Sequence, residues 1–191
     1  MLKVRSLSIL QARMLTMLVI HQILELKMQY WGRVLAEVEE AAAGLRGLGV
    51  RPEERIAMVM LDSPEFAVIY LAVLRIGAVA LPINPLLPGR DLGVIVADAR
   101  ARLVVVSSER ADSVVDLVAG APDVERVVLT GEDDGIGLDV ATHSWADLLG
   151  AGAGHGSDPY TTWYESPGFW LCTSGSTGRP KLAMHRHGDL H

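Results

Sequence analysis

The chain has a single cysteine, Cys172, so no disulfide can form within it, and a reducing compartment, the cytoplasm, is its natural setting. Aromatic residues make up only 5% of it. Trp145, Trp163 and Trp170 are too scattered to make a stacking platform, and Trp170 reads as core. No basic stripe offsets the net charge of −6, so the phosphate-neutralising contribution that nucleic-acid binding requires is missing. Long apolar runs are absent too. The run from Ile9 to Ile20 follows Lys3 and Arg5 in the manner of a signal peptide, but Gln11 and Arg13 interrupt it and no small-residue cleavage site follows before Tyr30. It is also too short to span a bilayer. An amphipathic helix or an irregular start of the chain is the expected reading of this segment.

What is present is a large apolar fraction, 50% of 191 residues, enough for the core of one medium-sized soluble domain that acts on small molecules. From Gly32 to Leu48 the residues Val34, Leu35, Val38, Ala41, Ala42 and Leu45 mark one face of a helix that Gly49 stops. The run Ile56 to Leu61 reads as a strand. Asp62-Ser63-Pro64 then starts a helix over Glu65 to Ile76, with proline at its first position. Further strands are expected at Ala78 to Ile83, Leu103 to Val106 and Val124 to Thr130, with helices near Arg90 to Ala99 and Glu109 to Val118. This alternation predicts an α/β fold, a mostly parallel sheet flanked by helices, with no repeat of fixed period. Between Gly131 and Glu165 the composition turns to Gly, Asp, Ala and Ser, which reads as a surface excursion with one helical patch at Ser144 to Leu149.

An apolar strand, Pro167 to Thr173, then delivers the chain into Thr173-Ser174-Gly175-Ser176-Thr177-Gly178-Arg179-Pro180-Lys181. Four hydroxyls and two glycines in six residues allow backbone amides and side-chain donors to converge on an anion. Lys181 adds a point charge suited to phosphate oxygens. A Walker A loop needs Gly-Lys-Ser/Thr, and here Arg179 and Pro180 follow Gly178, so a P-loop ATPase is not indicated.

The run Thr173 to Lys181 resembles the phosphate-binding motif of the adenylate-forming superfamily: acyl-CoA synthetases, luciferases and peptide-synthetase adenylation domains. The resemblance extends upstream through Tyr30-Trp31-Gly32 to Gly44-Leu45, Gly49-Val50-Arg51-Pro52, Asp62-Ser63-Pro64-Glu65-Phe66, Gly77-Ala78-Val79, Pro82-Ile83-Asn84 and Leu86-Leu87. Within the superfamily, Asp62 to Phe66, Asn84 to Leu87, Phe169-Trp170-Leu171 and Met184-His185-Arg186-His187-Gly188-Asp189-Leu190 are most similar to benzoate-CoA ligases. Residues 30–191 are covered, as the truncated N-terminal portion of the AMP-binding domain; residues 1–29 form an atypical N-terminal segment that does not match.

The resemblance implies a two-step reaction. A carboxylate, favourably an aryl acid such as benzoate, attacks the α-phosphate of Mg·ATP to give an acyl-adenylate and pyrophosphate, and the CoA thiolate then displaces AMP. Thr173, Ser174, Ser176 and Thr177, with the amides of Gly175 and Gly178, would hold the β- and γ-phosphates, and Lys181 would neutralise charge there. Two departures stand out. Leu182 occupies the position where the family usually has glycine, and the family's adenine-binding motif, acidic metal-binding residue, ribose-binding aspartate, interdomain hinge and catalytic lysine lie downstream of His191. The expectation is therefore a piece of a ligase with no catalytic residue of its own and no turnover by itself. The alternatives are a non-catalytic nucleotide-binding module and an adenylation domain that loads a carrier protein.

Other residues invite weaker readings. His185, His187 and His191 lack the spacing and the partner ligands of a metal site, and a helix start is expected around His187 and Asp189. Cys172 has no patterned base and reads as a buried thiol. No metal ligand set, nucleic-acid partner or membrane span is expected, and the oligomeric state is open.

Overall fold

The computed structural model describes residues 31–131, 137–173 and 181–190. The chain divides into two units, residues 1–37 and residues 38–191. Of the first, the described residues 31–37 are helical and exposed except for half-buried Val34. All that follows concerns the second unit.

Helix α1 (residues 38–47 of this unit) carries Val38, Ala41, Ala42 and Leu45 of the expected apolar face into the core, all buried. Gly49, at φ +82, takes the left-handed conformation that ends it. Strand β1 (Arg55–Val59) follows, and then α2 (Pro64–Arg75). Ser63 caps α2 by accepting the Phe66 amide, and Pro64 occupies the first turn as the sequence predicts. β2 (Val79–Pro82), α3 (Gly89–Ala99), β3 (Leu103–Ser107), α4 (Val114–Gly120) and β4 (Arg126–Thr130) complete the alternation. The expected helix from Glu109 to Val118 is split: residues Ser108–Ser113 wind as a 3-10 turn, in which the Ser113 hydroxyl donates to the Arg110 carbonyl at 2.7 Å and competes with regular helical bonding.

One seven-stranded sheet results, in the order β5-β4-β3-β1-β2-β6-β7, parallel throughout except for the antiparallel pair β6–β7. On one face Ala57, Val59, Leu81, Val104, Val106 and Val127 pack with Leu92 and Val96 of α3 and Leu117 of α4. The alternate residues Ile56, Met58, Ala80, Val105 and Val128 are buried on the other face. There the Tyr70 ring of α2 meets Phe169.

Two strands correct the sequence reading. The supposed surface excursion contributes a strand that was not expected, β5 (Ala141–Ser144), parallel to β4; the expected helical patch follows as α5 (Trp145–Gly150), whose Leu148 is fully buried. Ala-Thr-His-Ser carries no apolar alternation, so only backbone pairing with β4 makes it a strand. The helix start expected around His187 and Asp189 is a single 3-10 turn, His187–Leu190, and ahead of it runs a strand that was not expected, β7 (Lys181–Arg186). As an edge strand β7 carries Lys181 and Arg186, charges that discourage pairing with another chain. Cys172 is half-buried, not buried, because β7 is the last cover on that side. Burial nonetheless pushes its thiol pKa up, as befits an unreactive group. No helix among the described residues is long and apolar enough to cross a membrane.

Candidate functional site

In parallel sheets, ligand-contacting loops leave from the carboxyl ends of the strands. Here β1 leads to β2 on one side and β3 leads to β4 on the other, so the order reverses between β1 and β3. There the Leu61 amide, just past β1, donates to buried Ser107 Oγ at the end of β3 at 2.9 Å. The hydroxyl- and glycine-rich loop leaves instead from β6 (Pro167–Thr173), which pairs with β2 through Ala80 and Phe169.

The β6–β7 register brings the two ends of the loop side by side. Phe169 pairs with His185, Trp170 with Met184, Leu171 with Ala183, Cys172 with Leu182 and Thr173 with Lys181. The Thr173 hydroxyl donates to the Lys181 carbonyl at 3.3 Å. Both side chains are exposed. Ser174, Gly175, Ser176, Thr177 and Gly178 lie outside the described residues, so of the seven residues read as phosphate-binding only Thr173 and Lys181 are located. Leu182, at the position of a family glycine, packs with Trp170 and Cys172 against the core cluster. Its bulk serves the sheet on that face.

The far end of the hairpin is held by Asp189 and His187, singled out in the sequence as a helix start, and by partners that the sequence did not signal. The Asp189 carboxylate accepts the Arg186 amide at 3.0 Å and its guanidinium at 3.1 Å, and Arg186 also reaches Glu165 at 2.6 Å. The Arg186 amide bond first, then the guanidinium, holds the Asp189 pKa below its ordinary value. The same guanidinium lies 5.5 Å from the Tyr164 ring centroid. The amides of His187 and Gly188 donate to the Ser166 and Tyr164 carbonyls at 2.9 and 3.0 Å. Beyond β6, the Arg55 guanidinium stands 5.8 Å over the Trp170 ring. Apart from Arg186 and Asp189, three residues apart, these partners are distant in sequence and follow no period, so only the pairing of β6 with β7 reveals them.

The histidines differ in setting. His185 Nδ1 is 3.7 Å from Asp189 Oδ2, whereas His187 is partly buried, its Nε2 has no hydrogen-bond partner among the described residues, and burial lowers its pKa. His191 lies outside the described residues. Among the described residues no group of three or more His, Cys, Asp or Glu side chains is placed to hold a metal.

A mostly parallel seven-stranded sheet flanked by helices defines an α/β architecture. The family model of AMP-binding enzymes matches residues 25–191, and the chain belongs to that family. It is 35% identical over 83% of its length to a 3-hydroxybenzoate-CoA ligase of Aromatoleum sp. (strain CIB) and 34% identical over 75% of its length to a benzoate-CoA ligase of Thauera aromatica. The matched regions are 29% and 26% of those proteins, so the chain spans less than a third of the curated relatives it matches. In structure it resembles the anthranilate CoA ligase AuaEII in complex with anthranoyl-AMP, with a TM-score of 0.71 at 27% identity, covering 82% of this chain and 29% of that one. The relatives are aryl-acid CoA ligases and related adenylate-forming enzymes.

Proposed function

We propose that these residues supply the ATP phosphate-holding part of a carboxylate-CoA ligase that takes an aryl acid such as benzoate. The observation that carries the reading is the juxtaposition of Thr173 and Lys181 at the carboxyl end of β6, which makes one mouth of the loop's two ends. An exposed ammonium there matches phosphate oxygens in charge. Between the two ends run Ser174, Gly175, Ser176, Thr177 and Gly178, a donor set suited to an anion. The aryl-acid preference rests on the activities by which the relatives are named.

Bound Mg·ATP would supply the α-phosphate that the carboxylate attacks and the pyrophosphate that leaves. The part played by this chain is to grip the β- and γ-phosphates, so that charge developing on the leaving group meets fixed donors and a cation. Lys181 is the cation; the hydroxyls and amides of 174–178 are the donors. CoA is the acceptor proposed for the second step, and no residue here is assigned to it. No residue of this chain is assigned to acid activation, and none to holding Mg2+. The compartment proposed is the cytoplasm, on the strength of the single cysteine.

The test is Mg·ATP binding by the purified chain and by Lys181→Ala, followed by carboxylate-dependent ATP/pyrophosphate exchange with benzoate, hydroxybenzoates and short fatty acids. Binding that Lys181→Ala weakens, without exchange, is the expected result. Binding indifferent to Lys181→Ala, or no binding at all, would sink the proposal. Exchange above the Lys181→Ala control would show that the 191 residues activate an acid unaided and identify its class.

A further inference from the structure

We infer that a β-bulge at Gly168 decides which face of the β6–β7 hairpin carries Lys181, and that Gly168 is thereby a positioning residue for the cation of the proposed phosphate site. The inference rests on that reading for its functional consequence only. Between the pairs Pro167–Arg186 and Phe169–His185, β6 has one residue, Gly168, to which no residue of β7 corresponds. An extra residue of this kind shifts the register by one and re-aims every side chain beyond it. From there to Thr173–Lys181 the pairing runs residue for residue. Lys181, Ala183 and His185 therefore share the face of Thr173, Leu171 and Phe169, as the stack of His185 on Phe169 records. Leu182 goes to the other face, where it joins Trp170 and Cys172 against the core cluster.

Without the bulge, a ladder continued from Pro167–Arg186 would set Lys181 opposite Cys172 and Leu182 opposite Leu171. The Lys181 ammonium would then point to the side where Trp170 and Cys172 meet the core cluster, and the apolar Leu182 would leave it. The far end of the hairpin is not free to compensate. There the His187 and Gly188 amides donate to the Ser166 and Tyr164 carbonyls at 2.9 and 3.0 Å, and Arg186 is held by Asp189 at 3.0 Å and by Glu165 at 2.6 Å. Gly168 lies against this anchor. A Cβ on it would stand 3.0 Å from the Arg186 carbonyl carbon and 3.0 Å from the His187 amide nitrogen, both backbone atoms of the returning segment. Glycine lets β6 hold one residue more than β7 at that place without displacing them.

The test uses the single cysteine of the chain, Cys172, as a gauge of register. Directly opposed residues of an antiparallel pair have Cα atoms about 4.5–5.5 Å apart, within the span of a disulfide. Leu182→Cys should therefore cross-link to Cys172 under mild oxidation, and Lys181→Cys should not. Deletion of Gly168 should exchange the two, so that position 181 cross-links and position 182 does not. Mg·ATP affinity is the second readout. Lys181→Ala weakens binding in the wild-type background; in the Gly168 deletion it should change affinity by less than about twofold, because the ammonium has already left its face.

Cross-linking that stays with position 182 after the deletion would overturn the inference, because the register would then be set elsewhere. A switch to position 181 with Lys181→Ala still weakening Mg·ATP would overturn the positioning role. If the deletion forms neither cross-link, the hairpin has not formed, and Gly168→Ala decides instead. That variant keeps the residue count, so the cross-link at position 182 persists, but the displaced bulge should weaken Mg·ATP roughly two- to tenfold, and most of that loss should vanish in a Lys181→Ala background. Wild-type affinity in Gly168→Ala would then count against the inference. If the wild-type chain binds no Mg·ATP, the phosphate-site reading fails, and the cross-linking alone upholds or removes the control of register by Gly168.

Discussion

The imidazole of His185 lies flat on the ring of Phe169, with centroids 4.7 Å apart and planes 5° from parallel. The two residues face each other across β6 and β7, and Phe169 also meets Tyr70 of α2 at 6.4 Å. Phe169 thereby joins the loop-bearing hairpin to the helical layer. Truncating it in Phe169→Ala should destabilise the chain by about 3–5 kcal/mol, the range for a buried phenylalanine. His185→Ala removes only a stacking contact on a half-exposed strand, and about 0.5–1.5 kcal/mol is expected. Urea denaturation with a double-mutant cycle checks both, and additive effects would show that the stack carries no coupling.

Close helix packing makes a second prediction. A Cβ on Gly44 would lie 2.0 Å from the Leu148 carbonyl oxygen of α5, a backbone atom that cannot swing aside. Gly44→Ala should cost about 1–3 kcal/mol through overpacking, although alanine is the better helix former. Gly150→Ala meets nothing within 4 Å and serves as the control. A melting temperature for Gly44→Ala equal to wild type would refute the packing described for α1 and α5.

Gly77 tests backbone conformation. Its φ is +73, and a Cβ there would lie 2.4 Å from Cδ1 of Tyr160. Strain and a clash against an aromatic ring act together, so Gly77→Ala should lose more than the roughly 1 kcal/mol of an ordinary left-handed substitution. Tyr160→Ala removes the clash but not the strain. In the Gly77→Ala background it should recover part of the loss.

Acid should open the end of the hairpin. Asp189 has a folded pKa below its ordinary value, so its stabilisation is complete above that ordinary value and is lost as pH falls through the depressed one. Comparing Asp189→Asn with wild type by urea midpoint across pH should show a difference near neutrality that disappears in acid. His187 works in the same direction by another cause: burial lowers its pKa, so its neutral form contributes fully above the ordinary imidazole value and stability falls as pH drops from there. An NMR titration placing the His187 midpoint at or above that of an unstructured histidine would contradict this.

Two arginines fasten the segment that leads to β6. Arg75 donates to the Ser157 carbonyl at 2.7 Å and to Glu39 at 2.8 Å, and Arg46 donates to the carbonyls of Gly156 and Asp158. Arg75→Ala leaves the Ser157 carbonyl to water and frees Glu39, with about 1–2 kcal/mol expected. Limited proteolysis should cut Arg75→Ala and Arg46→Ala within residues 151–166 faster than wild type. Equal cutting rates would mean that the segment is held by other contacts.

Much of this was legible beforehand because local chemistry decided it. Val38, Ala41, Ala42 and Leu45 fall on one helical face, Ser63-Pro64 starts α2, and the apolar runs from Ile56 and Leu103 are too short and too apolar to be anything but strands inside a parallel sheet. The run from Thr173 to Lys181 carried the resemblance to the family through residue types at fixed spacing. β5 and β7 were not legible, since Ala-Thr-His-Ser and Lys-Leu-Ala-Met-His-Arg carry no strand period. A neighbour offering free amides and carbonyls made them strands.

The sequence by itself determined the alternation of elements, the apolar faces that drive them together and the composition of the loop, because each depends on residues close along the chain. Only the tertiary structure decided the strand order, the antiparallel return of β7, the glycine at which α1 touches α5 and the pairing of Thr173 with Lys181. Those depend on backbone hydrogen bonds and close contacts between segments far apart in the chain. Any residue can supply them, and so no residue pattern announces them.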